Sequence, residues 1–282
     1  MRNRILLLSL VIAFFSCTTK FVELYKTGTI TPNITIQKDS AYYLFENDTI
    51  KIAYYFWDKS GIFSFTVYNK LDRPIYIDWK KANFFVNGNK QEYWNDATIS
   101  KSKSISTSFA SISKFGSSPI ANVFGTSIGT STTTTTREER ITFIAPKTSI
   151  TKSKFNIIST SKLDWNKDVD KVETIRNDNP NKKTIVYVKN FSPQNSPLIL
   201  RNFMTLSLKE DFSSEFFLDH FFFVKEINNM DINNFREEFP TDPDDKKSQT
   251  IYNEYYRNGI SFYLFSEGIE AKKEEPKEEN KD

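Results

Sequence analysis

Thr49-Ile50-Lys51-Ile52-Ala53-Tyr54-Tyr55-Phe56-Trp57 places Ile50, Ile52, Tyr54 and Phe56 on one side of an extended chain and Thr49, Lys51, Ala53 and Tyr55 on the other. Successive side chains of a strand point to opposite faces, so this period of two predicts a strand with one buried face. Asp58 to Gly61 supply a turn, after which Phe63, Phe65 and Val67 alternate with Ser64 and Thr66 in a second strand. Asn69 to Pro74 close it. Pro74 has no N–H to give a ladder, so it stands at the start of Ile75 to Trp79 rather than inside it. Phe84 to Val86, Asn87-Gly88-Asn89 and Gln91 to Trp94 read as a hairpin, because Asn-Gly tolerates the positive φ of tight turns. Five short strands at roughly ten-residue spacing point to a sandwich or barrel.

Working outward, further strands are expected at Thr29 to Ile36, Arg140 to Ala145, Phe155 to Ser159, Thr184 to Lys189, Leu198 to Leu208, Phe221 to Ile227 and Ile260 to Phe265. Helical signals are few. Asp231 is placed to cap a short helix carrying Ile232, Phe235 and Phe239 before Pro240, and Ser248 to Asn258, ended by Gly259, is a weaker second candidate. Between Lys101 and Thr136, 18 of 36 residues are Ser or Thr and none is acidic, so the segment lacks the apolar content for a core of its own. It reads as a long loop insertion. Phe109, Ile112, Phe115, Ile120, Val123, Phe124 and Ile128 are scattered through it, so it is either a mobile surface loop or a segment that docks on the open sheet edge of a partner protein. Glu267 to Asp282, with seven acidic and four basic residues, reads as a solvated tail, and Asn177 to Lys182 as a turn.

The 282 residues carry 43 aromatics but one Cys and one His. That excludes Cys/His zinc cages and internal disulfides. A net charge of +3 gives no electrostatic footprint for nucleic acid. At the N-terminus, Arg2 and Arg4 precede an apolar run from Ile5 to Phe15, interrupted at Ser9 and stopping at Ser16-Cys17. Eleven residues span about 16 Å of helix, too short for a bilayer core of roughly 30 Å, so the run matches a secretory signal. The lone thiol lies at the expected cut.

Chemistry is sparse. His220 opens the apolar run Phe221-Phe222-Phe223 and reads as a strand-end residue, with no Gly-x-Ser-x-Gly elbow to partner it. Asp164, Asn166, Asp168 and Asp170 match the first positions of a calcium loop, but Val169 stands where Gly is needed and Ile175 where a bidentate Glu is needed. No phosphate-loop or dinucleotide fingerprint occurs, and no metal or cofactor is expected. Trp57 and Tyr55, on the strand face opposite Ile52 and Tyr54, are candidates for stacking on sugar rings. Paired carboxylates of the glycosidase type are the rival reading.

Phe14-Phe15-Ser16-Cys17 resembles a relaxed bacterial lipobox, in which the Cys is acylated and becomes the first residue of the mature chain. Asp39-Ser40-Ala41 and Asp48-Thr49-Ile50 resemble the acceptor of general O-glycosylation in Gram-negative envelopes, which makes Ser40 and Thr49 candidate acceptors. Glu46 to Ile50, Tyr68 to Trp79 and Phe84 to Gly88 resemble Ig-like β-sandwich lipoproteins of Gram-negative envelopes, and Arg140 to Lys147, Ser196 to Leu198 and Arg201 to Phe203 look like later blocks of the same kind. These blocks carry no catalytic residues, so the resemblance implies architecture and compartment only. The resulting expectation is an all-β, Ig-like antiparallel β-sandwich with a long Ser/Thr-rich loop insertion and one or two short helices near the C-terminus. Its parts are a signal peptide (1–16), a tether and first strand (17–40), the sandwich (41–266, with the insertion at 101–136) and the tail (267–282). The expected role is that of a non-catalytic binding or structural module, anchored through Cys17 on the periplasmic face of the outer membrane. A carbohydrate-binding module or glycan-acting enzyme is the alternative.

Overall fold

The computed structural model describes residues 20–37, 41–94, 139–158, 163–240 and 250–266, with the backbone of the paired segments 99–100, 112–115, 118–121 and 135–136. The segment expected to be a signal peptide (1–16), Cys17, Ser40, most of the Ser/Thr-rich insertion and the acidic tail lie outside the described residues.

In chain order, β1 (Phe21–Thr29) and β2 (Ile34–Gln37) lead into a meander of β3 (Tyr42–Glu46), β4 (Ile50–Tyr55) and β5 (Ile62–Asn69). Then follow β6 (Ile75–Asp78), β7 (Asn83–Val86) and β8 (Asn89–Glu92). Within and beside the insertion come β9 (Ile99–Ser100), β10 (Ile112–Phe115), β11 (Ser118–Ala121) and β12 (Thr135–Thr136), with β9 paired to β12 and β10 to β11. The chain continues through β13 (Ile141–Ile144), β14 (Ser149–Asn156), β15 (Asp170–Ile175), β16 (Lys183–Asn190), β17 (Ile199–Ser207) and β18 (Glu215–Asp231). It ends with α1 (Ile232–Phe235), β19 (Arg236–Pro240), β20 (Thr250–Glu254) and β21 (Ser261–Ser266).

Two antiparallel sheets face each other. The smaller has the order β14-β5-β4-β3-β2; the larger runs β13-β6-β17-β18-β1-β21, with β7 and β8 continuing from β17 and β15 and β16 from β18. The alternation in β4 does what its pattern predicts: Ile50, Ile52, Tyr54 and Phe56 are all fully buried. They meet Phe222 of the larger sheet, whose ring centre lies 5.0 Å from Tyr54 and 5.2 Å from Phe56 and Tyr43. Phe63 stacks on Phe84 at 4.3 Å, so the aromatic excess is the filling of the sandwich. The β7–β8 hairpin turns on Asn87 and Gly88, with φ of 49° and 80°, the paired positive values that a two-residue connection needs.

β18 is 17 residues long and changes neighbours along one edge. Ile199 to Ser207 of β17 pair with Glu215 to Phe223, and Tyr187 to Asn190 of β16 with Glu226 to Asn229. On the other edge β1 skips a residue, Lys26 pairing with Glu226 and Thr27 with Val224. Lys225 is the bulge, and it also marks the changeover from β17 to β16.

Several expectations need correction. Phe21–Thr29 is an inner strand held between β18 and β21, and the strand expected at Thr29 to Ile36 is split by a turn with Asn33 at φ 64°. Residues Val22, Leu24 and Tyr25 are buried on both faces, which erases the period-two signal. The helix capped by Asp231, whose side chain accepts from the Asn233 N–H, stops after Phe235, so Phe239 lies in β19. Ser248 to Asn258 is not helical where described, since Thr250–Glu254 pairs with β19 as a strand. The strand expected at Phe155 to Ser159 likewise begins earlier, at Ser149, and ends at Asn156.

Phe65 is buried against Tyr54 and Tyr93, whereas Ser64 points to the other face of β5. Phe65→Ala should therefore cost about 3–5 kcal/mol of stability in urea unfolding, and Ser64→Ala little. Equal losses would mean that this register is wrong.

Candidate functional site

Three polar or aromatic constellations stand out among the described residues, and they differ in what they can reach.

The first is buried. His220 is 3% exposed, in the middle of β18 rather than at a strand end as its neighbours suggest. Its Nδ1 lies 2.5 Å from the Tyr54 hydroxyl across the sandwich; Asn202 Nδ2 donates to the same hydroxyl at 3.4 Å, and the Tyr93 hydroxyl donates to Asn202 Oδ1 at 2.8 Å. Asn202 and His220 are cross-strand neighbours, so their side chains emerge side by side. Burial lowers the His220 pKa to about 4, against an opposing pull from Asp219, and burial pushes the Tyr54 phenol up. A neutral imidazole bonded to a protonated phenol, inside an aromatic core, satisfies two polar groups that would otherwise be costly to bury. It locks the two sheets together.

The second holds the predicted sugar-stacking residues. Tyr55 lies against Tyr42, with ring centres 5.1 Å apart. Trp57 packs 5.4 Å from Tyr263 and 6.2 Å from Phe235, and its indole N–H donates to Glu254 Oε2 at 3.1 Å. The structure thus sends the two aromatics into separate satellite clusters. Glu254 Oε1 accepts from the Tyr263 hydroxyl at 3.0 Å, and Asp58 is raised by burial and by the Glu254 charge. Asp58 thus feels the Glu254 charge, yet both Glu254 oxygens are held by Trp57 and Tyr263. Thr49, the described O-glycosylation candidate, sits half-exposed in the β3–β4 turn with its N–H on Asn47 Oδ1 at 2.9 Å. Asp164 and Asp168 lie in a turn before β15, and no group of three or more His, Cys, Asp or Glu able to hold a metal comes together among the described residues.

The third was not anticipated. On the face of the larger sheet turned away from the sandwich, cross-strand register lines up Phe85, Arg201 and Phe221, then Phe203 and Asp219, then Thr205 and Phe217. Tyr76 and Phe143 follow on β6 and β13. Arg201 holds Asp219 through Nε and Nη2 at 2.7 and 2.8 Å, and its guanidinium centre lies 5.2 Å from Phe85 and Phe221 and 5.6 Å from Phe203. The hydrogen bonds that Arg201 donates to Asp219 hold the Arg201 pKa above its ordinary value. Phe217 is 57% exposed and Phe143 54%. Phe223 lies across Gly28, where an added Cβ would come within 2.8 Å of its ring.

Nearer the other end of β18, the same face is covered. α1 brings Phe235 onto Val22, Leu24 and Met230, and Tyr256 packs beside it. The rings around Arg201 belong to none of the buried clusters. A sheet face with aromatic planes, a fixed cation and a fixed carboxylate suits reversible binding, because all its polar groups are already oriented.

Comparison of the chain with protein-family models, with curated proteins and with solved structures finds no match in any of the three.

The folded-state pKa of His220 lies below the 6.5 of the free imidazole, so the unfolded chain binds the extra proton between those values and stability falls as pH drops. The loss should reach up to about 3 kcal/mol across the whole window. Urea midpoints at pH 7 and pH 4.5 measure it. His220→Gln, which can still bond Tyr54, should flatten this part of the pH dependence; an unchanged slope would show that His220 is not its source.

Proposed function

We propose that this protein is a lipid-anchored component of a bacterial cell envelope that binds rather than catalyses, with the outer face around Arg201 as its binding surface. The observation that carries the reading is the Arg201–Asp219 fork set among Phe85, Phe203 and Phe221 beside the exposed Phe217. Aromatic rings and arginine are the side chains that supply most binding energy at recognition surfaces. A ligand that suits this one presents flat apolar faces edged with hydroxyls. The rings take the faces, while the guanidinium and carboxylate take the hydroxyls. Sugar rings have that shape, so the ligand class is an envelope polysaccharide.

Anchoring rests on Arg2, Arg4, the Ile5 to Phe15 run and Cys17, whose thiolate would take a diacylglyceryl group. Two or three acyl chains, at about 0.8 kcal/mol per buried CH₂, hold a protein on a membrane stably. The segment after Cys17 has no acidic cluster, which favours the periplasmic face of the outer membrane. The blocks that resemble Ig-like lipoproteins fall on β4 to β7, β13 and β17, in both sheets, and this supports an Ig-like kinship of architecture. Insertion 101–136 is a second contact, for an envelope protein. The engagement of Glu254 by Trp57 and Tyr263 favours binding over hydrolysis by paired carboxylates.

Phe217→Ala should keep the wild-type melting temperature and weaken retention on envelope polysaccharides at least tenfold on a glycan array or affinity gel. If no polysaccharide is retained, or the variant binds as well as the wild type, the surface assignment fails. Separately, Cys17→Ala should lose incorporation of a fatty-acid probe and move to the soluble fraction. Unchanged labelling would overturn the anchor.

A further inference from the structure

Three residues, Thr18 to Lys20, separate Cys17 from the first residue of β1. Four residue steps reach at most about 14 Å when fully extended. An acylated Cys17 therefore keeps the Phe21 end of the larger sheet beside the bilayer. Register shows what else is there.

Phe21 pairs with Asp231 at the end of β18, and Tyr187 of β16 pairs with Asn229. Two residues back along β16, Ile185 stands level with Asp231. Ile175 pairs with Lys183 another two residues on, about 7 Å further toward the anchor at the usual rise of a strand. Ile175 and Ile185 occupy the same face of the β15–β16 hairpin and are 58% and 49% exposed. The hairpin tip is fixed in place: the Asn177 N–H donates to Asn234 Oδ1 at 2.9 Å, and the Ile232 N–H of α1 donates to the Lys20 carbonyl at 3.0 Å. Charged groups at this end are Lys183 paired with Glu173, Arg176 paired with Asp178, Lys171, Lys182, Lys20 and the capping Asp231. Lysine stems lie along apolar surface while their heads remain in water, the arrangement of an interfacial contact.

We propose that the β15–β16 hairpin is the membrane-contacting end of the body, with Ile175 and Ile185 resting in the headgroup layer of the bilayer that holds the acylated Cys17. This rests on the lipid-anchor reading. The partner surface is lipid, and its choice over a second copy of the chain follows from the short span between Cys17 and Phe21.

The test uses the full chain, purified with its acyl chains and inserted into vesicles of phosphatidylethanolamine and phosphatidylglycerol carrying a doxyl quencher near the headgroup. Because acylation blocks Cys17, Ile185→Cys and Phe217→Cys each provide one thiol for an environment-sensitive fluorophore, at positions exposed enough to leave the fold intact. Label at position 185 should be blue-shifted and quenched several-fold more strongly than label at position 217. Equal quenching, quenching only at position 217, or a blue shift at position 185 that needs a second copy and no doxyl lipid would overturn the proposal. Intact mass separates the two readings: chains lacking an acyl mass on Cys17 overturn the anchor and the contact together, whereas acylated chains without quenching at position 185 overturn the contact alone.

Discussion

One strand that must serve two neighbours on a single edge sets the terms for the rest of the molecule. β18 can pair with β17 and then with β16 because Lys225 bulges out and resets the register against β1 at the same level. Before the bulge, Leu218, His220, Phe222 and Val224 fill the sandwich while Phe217, Asp219, Phe221 and Phe223 face outward. After it, Asn228 and Met230 share a face with Leu24 and Val22, under α1. The bulge thus divides the larger sheet into a half whose outer face is covered by α1 and Tyr256 and a half whose outer face carries the Arg201 fork.

The parts that were legible in the sequence are those whose two faces differ in residue type. β4, β5 and the β7–β8 hairpin announce themselves because their outward residues are polar or small and their turns use Asn and Gly. β1 was illegible because Val22 and Leu24 pack under Phe235 of α1 while Tyr25 stacks on Phe262 on the opposite side, leaving no alternation to read. The short helix was legible at its start, where Asp231 caps it, but not at its end: the β-ladder between Arg236–Pro240 and Thr250–Glu254 overrides local helical spacing.

The outer aromatic face was hidden for a different reason. Phe216-Phe217-Leu218 and Phe221-Phe222-Phe223 read as apolar throughout, the signature of a strand buried on both sides. The signal that gives it away is the pair of charges. Arg201 and Asp219 occupy outward positions in otherwise apolar strands, and one residue of each sign at diagonal positions of neighbouring strands is what an exposed face can hold and a core cannot. His220 misled in the opposite sense. A polar residue beside three phenylalanines suggests a strand end, yet Tyr54 from the other sheet supplies the partner that lets it stay inside.

The inner position of β1 has a mechanical consequence. Antiparallel hydrogen bonds run perpendicular to the strands they join, so a pull on the N-terminal side of β1 acts along its axis and loads both flanking ladders in shear. Nine residue pairs to β18 and six to β21 share that load at once. An edge strand peeled sideways would give up its pairs one after another. Tension applied at the N-terminal end of β1 is therefore met by both flanking ladders together rather than by one pair at a time.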